Sequence, residues 1–284
     1  MENIGIHDLL PLFVALPLAA ALLTQLLARG RPLLAGWLCN AVMLALLLMS
    51  VQATGRDAVY ALGHWPAPVG IELHLDGLSA LMLLVVNGIG LVVGLYSIDY
   101  MKRFTARSAF YSLFLLMVAG MNGVVLAGDL FNLYVFLEVA AVASYALVAF
   151  GCAHEELEAS FKYIVLGSLS SALILVGVAL VYGITGTLNL DQMAARMAAG
   201  AGQDGAGAPL LLAFGLFIAG FSFKAALVPF HAWLPDAHPA APAPVSAMLS
   251  GVLIKALGVY VLARLAFNVF GMNGNVLGLL QWLG

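Results

Sequence analysis

Four ionisable residues lie inside strongly apolar stretches of the chain: Glu138, Lys162, Lys224 and Lys255. A charged side chain in a membrane interior costs about 2.5–3.5 kcal/mol on insertion scales, and such residues commonly mark ion or proton pathways. Burial favours the neutral form of a carboxyl or an amine, and a close opposite charge favours the charged form. Residues of both signs at such positions therefore predict that protons or ions move through a membrane.

Glu138 and Lys224 each lie near the middle of an apolar stretch. Glu138 is about eight residues in, or ~12 Å if helical, close to the centre of a ~30 Å membrane core. Pro229, five residues after Lys224, frees the carbonyl of Ala225 and predicts a kinked or broken helix. Broken helices beside a charge are typical of transporters. The alternatives are a neutral Glu138 held by a structural hydrogen bond and a Lys224 that snorkels to the interface.

Lys255 and Lys162 extend this set of buried charges in different ways. Lys255 is again central in its stretch, and Gly251 and Gly258 on neighbouring turns favour close helix packing. The alternative for Lys255 is a static ion pair with one carboxylate. Lys162 begins its stretch, so it is either an access point from the cytoplasmic surface or a helix-end lysine paired with nearby acids. Those acids are Glu155, Glu156 and Glu158.

Two histidines, His231 and His238, follow the predicted break. Neutral imidazole both donates and accepts a proton, which suits a relay, although a histidine at a helix break also serves as a satisfied polar group. Together with Asp236 they resemble a metal site only weakly, because two prolines interrupt the segment and no cysteine accompanies it. We predict no metal here.

The composition indicates an integral membrane protein. The chain has 284 residues, of which 63% are hydrophobic and 9% charged, and its mean hydropathy is +1.05. A soluble domain is about half apolar and a quarter charged. The net charge of −3 predicts no nucleic-acid surface. The sequence has no haem-type histidine pairing, cysteine cluster or nucleotide motif, so we expect no redox cofactor; the N-terminus lacks the basic segment of a cleavable signal peptide.

Hydropathy predicts an all-α polytopic protein with about nine transmembrane helices. The predicted spans are 7–28, 34–54, 77–100, 108–127, 130–151, 161–183, 209–228, 242–266 and a shortened 271–284. The 55–76 loop suits an interfacial segment or a hairpin, and 187–208 suits a short surface helix followed by a flexible linker. Asp99 and Asp129 are expected to cap helices at the interface.

Basic residues in short loops predict the orientation, since they are enriched on the cytoplasmic side. Alternation of the spans places Arg29, Arg31, Lys102, Arg103 and Arg107 on one side, and Arg56, Arg196 and Arg264 on the other. The excess predicts a multi-pass protein of the cell inner (cytoplasmic) membrane with its N-terminus outside.

Several strings around these residues resemble one known family. It comprises the antiporter-like membrane subunits of respiratory complex I, Mrp-type Na⁺/H⁺ antiporters and membrane-bound hydrogenases. The resemblance covers roughly 77–267. The string Phe131-Asn-Leu-Tyr-Val-Phe136 is most similar to the Mrp D-type and hydrogenase branch. The matching strings are Gly128-Asp-Leu-Phe-Asn-Leu-Tyr-Val-Phe-Leu-Glu138, Phe161-Lys-Tyr-Ile-Val-Leu-Gly167, Tyr182-Gly-Ile-Thr-Gly-Thr-Leu188, Lys224-Ala-Ala-Leu-Val-Pro-Phe-His-Ala-Trp-Leu-Pro-Asp-Ala-His238 and Ala241-Pro-Ala-Pro-Val245, followed by Lys255.

The resemblance implies a division of the chain. Family members have about fourteen transmembrane helices that contain two inverted five-helix repeats, and the matching portion is N-terminal. Residues 1–76 would be N-terminal helices and an outer loop, 77–267 the translocating region with a core repeat at about 108–267, and 268–284 the start of an incomplete helix. A continuation of the chain or a separate subunit would complete the unit.

The resemblance also implies a function. Glu138 and Lys224 would form a coupled pair, with Lys255 the next step along a hydrophilic axis and the kinked helix near Pro229. We expect a proton or Na⁺/H⁺ translocating subunit of a redox-driven pump or Mrp-type antiporter, with protons entering near Lys162 or the 229–238 break. As an enzyme component it would be at most a non-redox subunit of an NADH-quinone oxidoreductase-like or hydrogenase complex. Its partners would be other membrane subunits and the lipid bilayer; the alternative is a structural or assembly subunit without transport.

Overall fold

The computed structural model describes residues 6–27, 31–199, 207–271, 277–278 and 280–281. The described chain is mostly helical, with one two-stranded sheet. The helices are α1 (Ile6–Leu9), α2 (Leu12–Leu27), α3 (Pro32–Ala53), α4 (Gly77–Tyr100), α5 (Arg107–Leu126), α6 (Leu130–Val148), α7 (His154–Thr185), α8 (Leu190–Ala198), α9 (Gly207–Lys224), α10 (Leu234–Ala240) and α11 (Ala243–Val269); the strands are β1 (Ala58–Ala61) and β2 (Glu72–Leu75).

Eight helices within the described ranges are long and apolar enough to cross a membrane. They correspond to the first eight predicted spans, and α4 has the predicted bounds. The ninth predicted span, 271–284, lies mostly outside the described residues. The prediction of an all-α polytopic fold is therefore confirmed, while nine remains an approximate count.

Two predicted spans differ most from the observed helices, for physical reasons. The predicted span 161–183 belongs to a helix that begins earlier, at His154, because Glu155 and Glu156 in the first turn favour a helix N-terminus even where the sequence is no longer apolar. The predicted span 209–228 ends as a helix at Lys224, four residues early. Hydropathy reports burial in an apolar medium, and neither the helical start nor the break depends on it.

The fifth helix, α5, lies at the centre of the N-terminal part and packs against α2, α3, α4 and α6. A helix that is apolar on all sides is a buried one, and α5 fits this description. Its single fully buried amide, Asn122, exchanges hydrogen bonds of 3.1 and 3.3 Å with Asn87 of α4 and donates to the Phe13 carbonyl of α2 at 3.1 Å. These bonds satisfy polar groups that the membrane interior would otherwise leave unpaired, and they fix three helices to one another.

The predicted hairpin between α3 and α4 is present. Strands β1 and β2 pair in antiparallel register, from Ala58 opposite Leu75 to Ala61 opposite Glu72. Gly128, between α5 and α6, donates its backbone N–H to the Glu72 carbonyl at 3.0 Å, so the hairpin is tied to that turn. The predicted surface helix is α8, and part of the linker predicted after it, 200–206, lies outside the described residues.

The two predicted interfacial caps have different outcomes. Asp129 caps α6 by accepting the Asn132 N–H at 2.8 Å, as predicted. Asp99 is wrong as a cap, because it lies in the last turn of α4 and pairs with Lys102 at 2.6 Å. Asp76 caps α4 through the Ser79 N–H at 2.9 Å, a role the sequence did not single out.

Candidate ion-pathway site

The site is built around the break that follows α9. The helix stops at Lys224, and Ala226 adopts a left-handed backbone with φ of 53°, so the chain leaves the helical path just ahead of Pro229. The indole Nε1 of Trp233 donates to the Phe223 carbonyl at 3.1 Å. The Trp233 side chain therefore satisfies one of the carbonyls that a broken helix exposes, and it covers the break.

Lys224 is held at the end of this broken helix by polar groups from two neighbouring helices. Its side chain is 2% exposed, and its Nζ lies 3.0 Å from Ser171 Oγ, 3.4 Å from Tyr145 Oη and 3.5 Å from the Gly167 carbonyl. These oxygens accept from an ammonium group, which has three protons to donate. These three oxygens, from Ser171, Tyr145 and Gly167, form what we call the Lys224 cradle, and they replace the hydration that the buried charge has lost.

Glu138 on α6 completes the pair. Its Oε1 lies 3.6 Å from Lys224 Nζ, and the Ser171 hydroxyl hydrogen-bonds the same oxygen. The Ser171 hydroxyl also lies 3.0 Å from the Gly167 carbonyl, so its one hydrogen has a choice of two acceptors. Glu138 is less enclosed than its partner, with 31% of the side chain exposed. Glu138, Ser171 and Lys224 thus form a short polar chain, and the Glu138 end of this chain is the more exposed one.

An aromatic stack links the break to this cradle. The rings of Trp233 and Tyr163 are parallel with centroids 4.1 Å apart, and Tyr163 meets Tyr145 edge-on at 4.5 Å. The Tyr145 ring also fits against Gly167, where an added Cβ would overlap its hydroxyl. The position of Tyr145 Oη beside Lys224 is therefore set by packing on two sides.

Lys162 lies apart from this cradle in a separate ionic cluster. Its Nζ is 2.9 Å from Glu158 on the same helix and 2.8 Å from Asp236 on α10. The sequence-based alternative of pairing with nearby acids is thus realised for Glu158, while Asp236 was not anticipated as a partner. The cluster joins α7 to the segment that follows the break and borders an open cavity of about 380 Å³.

The two histidines differ in their surroundings. His231 is exposed. His238 is half-buried, and its Nδ1 lies 2.7 Å from the Ser246 hydroxyl at the start of α11. Burial lowers the pKa of His238, and the positive charge of Lys255 lowers it further, so the neutral imidazole is favoured. Among the described residues, no group of three or more His, Cys, Asp or Glu side chains is arranged to hold a metal.

Lys255 occupies an irregular part of α11, where π-helical turns run over Leu249–Leu253 and Lys255–Tyr260. Its Nζ hydrogen-bonds the Ser250 carbonyl, and the side chain is exposed on the surface of the described chain. It makes no contact with Glu138 or Lys224 within that chain. The helices do meet, because Gly258 lies where an added Cβ would overlap the Ala225 Cβ.

The structure thus brings together Glu138 and Lys224, but leaves Lys162, His238 and Lys255 at separate positions around the break. Ser171 and Trp233 are the contributors that sequence reasoning missed. The run Ser168-Leu-Ser-Ser171 in an otherwise apolar stretch was the available signal for a polar lining, and Trp233 offered none beyond its place in the motif.

Two family models match parts of this chain. A family model described as "NADH:quinone oxidoreductase/Mrp antiporter, TM" matches residues 127–284, and one described as "NADH-Ubiquinone oxidoreductase (complex I), chain 5 N-terminus" matches 65–111. The site residues all fall within the first match.

Individual relatives cover nearly all of this chain. The D-type subunit of a probable K⁺/H⁺ antiporter from Rhizobium meliloti is 42% identical over 94% of this chain and 50% of its own length. The N-type subunit of NADH-quinone oxidoreductase from Desulforudis audaxviator is 36% identical over 96% of this chain and 55% of its own. A chain of the membrane-bound sulfane sulfur reductase, an archaeal respiratory membrane complex, superposes with a TM-score of 0.87 at 34% identity, over 96% of this chain and 56% of its own. The chain spans about half the length of the curated relatives it matches.

Proposed function

The chain belongs to the family of transmembrane subunits shared by NADH:quinone oxidoreductase and Mrp antiporters, and from that premise we propose that it translocates protons, alone or in exchange for Na⁺. The observation that carries the proposal is the buried Lys224 ammonium 3.6 Å from the Glu138 carboxylate. Opposite charges ~4 Å apart attract by roughly 4 kcal/mol at an effective dielectric of ~20. That attraction offsets part of the cost of burying Lys224.

The pair works as a proton switch in this proposal. A proton that reaches Glu138 removes the negative charge, and Lys224 then loses the attraction that offsets its burial. The ammonium releases its proton to the next acceptor, and the neutral Lys224 amine then takes up the proton of Glu138 through the Ser171 hydroxyl. The re-ionised Glu138 carboxylate accepts the next proton. Ser171 contacts both groups and fixes their relative position.

The wider route uses the remaining ionisable residues. Protons reach the pair from the Lys162 cluster or from the break, where His231 and His238 act as relays, and pass from Lys224 to Lys255. The ion pair between Lys162 and Asp236 supports the first step because it connects α7 to α10. The packing of Gly258 on Ala225 supports the last step because it brings α11 against the break. Water must bridge the gap between Lys224 and Lys255.

We propose that the chain works within a multisubunit membrane complex, either an Mrp-type antiporter or a redox-driven pump. The relatives named above are subunits by name, and the superposed chain comes from a respiratory membrane complex. Residues 108–267 would form one translocating repeat, after the helices and loop of 1–76 and before a further helix at 268–284. Electron transfer, where it drives the process, belongs to other subunits.

The proposed orientation places the N-terminus outside the cell membrane. Arg31, Lys102, Arg103 and Arg107 lie at one end of the helices. Arg56, in the loop after α3, and Arg196, in α8, lie at the other end, and Arg29 falls outside the described residues. Arg264, counted above with the outer residues, lies within α11 and pairs with Asp76 at the start of α4. The basic excess at the first end supports its assignment as cytoplasmic.

Proton transport by a Glu138→Gln variant tests the proposal. The chain is purified with the subunits that accompany it, reconstituted in proteoliposomes, and assayed with a pH-sensitive dye. The amide keeps the shape of the side chain and cannot take up a proton at neutral pH, so we expect transport to fall at least roughly ten-fold with assembly unchanged. Asp57→Asn, which removes an exposed carboxylate in the loop before β1, is the matched control and should transport normally.

The rival role, a structural subunit without transport, makes a different prediction. Lys224→Ala would then alter the subunit composition of the purified complex and leave transport per assembled complex unchanged. Near-normal transport by the Glu138→Gln variant would contradict the proposed proton switch.

A further inference from the structure

A basic pocket lies at one end of the N-terminal helices, away from the ion-pathway site. It has an open volume of about 530 Å³ and is lined by Arg31, Leu33, Lys102 and Arg107. These residues come from the starts of α3 and α5 and from the turn after α4. The pocket therefore lies where three membrane-crossing helices reach the same interface.

The positive charge of the pocket is mostly uncompensated. Lys102 pairs with Asp99 at 2.6 Å. Arg107 is fixed by two backbone carbonyls, of Phe104 at 3.1 Å and Lys102 at 2.6 Å, which orient the guanidinium without neutralising it. Arg31 is exposed and has no ion-pair partner in the described part of the chain. Three cations thus face one carboxylate, and guanidinium groups so oriented favour a phosphate oxygen.

An apolar stripe runs from this pocket down the outside of α3. Leu33 lines the pocket, and its side chain points outward on a face that continues at helical spacing toward the far end of the helix. The stripe comprises Leu33, Trp37, Leu44, Leu48 and Val51, which are each between 48% and 62% exposed. Trp37 lies one turn below the pocket, the depth at which tryptophan favours the membrane interface. A ligand that fits both features has an anionic head and a long apolar tail.

We propose that this pocket binds the phosphate group of an anionic phospholipid, with an acyl chain lying along the α3 stripe. Basic pockets between membrane helices favour anionic lipid head groups, and each basic residue near the surface contributes ~1 kcal/mol. The lipid would bridge α3, α4 and α5 at one interface. The site does not include Glu138 or Lys224 and is independent of the proposed transport.

Native mass spectrometry of the full chain, purified with its accompanying subunits in a neutral detergent, tests the site. Phosphatidylglycerol and phosphatidylcholine with identical acyl chains are titrated separately, and we expect clear preference for phosphatidylglycerol. Arg31→Ala should weaken phosphatidylglycerol binding about five-fold, and Arg31→Ala with Lys102→Ala about thirty-fold. Both side chains are exposed, so the fold should tolerate their loss.

The matched control is Arg56→Ala, which removes an exposed arginine at the opposite end of α3 and should leave binding unchanged. Equal binding of the two lipids, unchanged affinity in the double variant, or an equal loss in the control would each overturn the proposal. Inorganic phosphate and glycerol phosphate form a second arm. If either displaces the lipid at the lipid's own concentrations, the pocket is a site for free phosphate and the lipid assignment is wrong. A copurifying subunit that occludes the wild-type pocket and blocks lipid binding would also overturn it.

Discussion

At the scale of single residues, one buried charge, that of Lys224, is stabilised by several oxygen atoms. Lys224 is enclosed by Ser171, Tyr145, the Gly167 carbonyl and Glu138, all within 3.6 Å of its Nζ. A buried charge without partners is costly, and one with several oriented acceptors is tolerated. These oxygens therefore stabilise the charged form of Lys224 at its buried position.

Ser171→Ala tests the cradle without altering either charge. The change removes the 3.0 Å contact to Lys224 Nζ and the hydrogen bond to Glu138. A hydrogen bond to a charged group is worth ~1.5–3 kcal/mol, so we expect proton transport to fall roughly ten-fold or more, measured in proteoliposomes.

Ser168→Ala is the matched control, because Ser168 lies on the same helix with its side chain exposed. It should transport normally. A Ser171→Ala variant as active as Ser168→Ala would show that Ser171 does not support the pair.

The identities of the charged residues were predictable from sequence, because ionisable groups in apolar stretches stand out. Their pairing was implied only by resemblance to a family, since spacing along the chain does not report which helices meet. Ser171 was missed because a serine in a membrane helix produces no charge signal. Lys162 illustrates the remaining ambiguity: its Glu158 contact follows from helical spacing, whereas its Asp236 contact depends on the tertiary fold.

At the scale of elements, the break after α9 depends on close packing by α11. Gly258 packs directly against the backbone of Ala225. A Cβ added to Gly258 would lie 2.5 Å from the N atom and 2.5 Å from the Cα atom of Ala225. Ala225 directly follows Lys224. The position of the lysine at the end of α9 is therefore coupled to a glycine on another helix.

Gly258→Ala should displace the break and impair transport. Overpacking a tight interior costs ~1–3 kcal/mol, so we also expect a lower thermal unfolding temperature of the detergent-purified protein. Gly251→Ala on the same helix is the control, since its Cβ would be 3.6 Å from the nearest atom. Equal behaviour of the two variants would contradict the proposed packing role.

Sequence reasoning predicted the elements better than their ends. Apolar runs revealed all eight described crossing helices, but α7 begins in a charged segment and α9 ends inside an apolar one. Pro229 correctly predicted a break, although the helix stops five residues before it, because proline removes a hydrogen bond and crowds the carbonyl four residues earlier. The π-helical turns of α11 gave no sequence signal.

At the scale of the whole molecule, an ion pair connects the start of α4 to the end of α11. The guanidinium of Arg264 contacts both carboxylate oxygens of Asp76, with Nη2 2.5 Å from Oδ1. The residues are 188 positions apart, and neither was singled out as a partner from sequence. The pair holds the N-terminal helices against α11 at the hairpin side of the molecule.

The pH dependence of stability should report this pair. Burial raises the pKa of Asp76, but hydrogen bonds from Arg264 and Ser79 outweigh it and lower the pKa to about 2. An aspartate in an unfolded chain has a pKa of ~3.9. The folded state therefore binds the proton less tightly than the unfolded state. The stabilisation is fully present above pH ~4 and is lost as the pH falls toward 2.

Asp76→Asn should be less stable than wild type at pH 5–7, and the difference should shrink between pH 4 and 2. Thermal unfolding of the detergent-purified protein across this range measures the effect. Asp57→Asn, an exposed carboxylate in the preceding loop, should show no such dependence. A constant difference between Asp76→Asn and wild type at all pH values would refute the assignment.

A double-mutant cycle in proton transport tests whether Glu138 and Lys224 act as one unit. Glu138→Gln, Lys224→Met and the double variant are reconstituted and assayed alongside wild type. Residues that act as a unit give non-additive losses, so we predict that the double variant is no slower than the slower single variant. Losses that multiply in the double variant would mean that the two residues act independently, and would contradict the proposed proton switch.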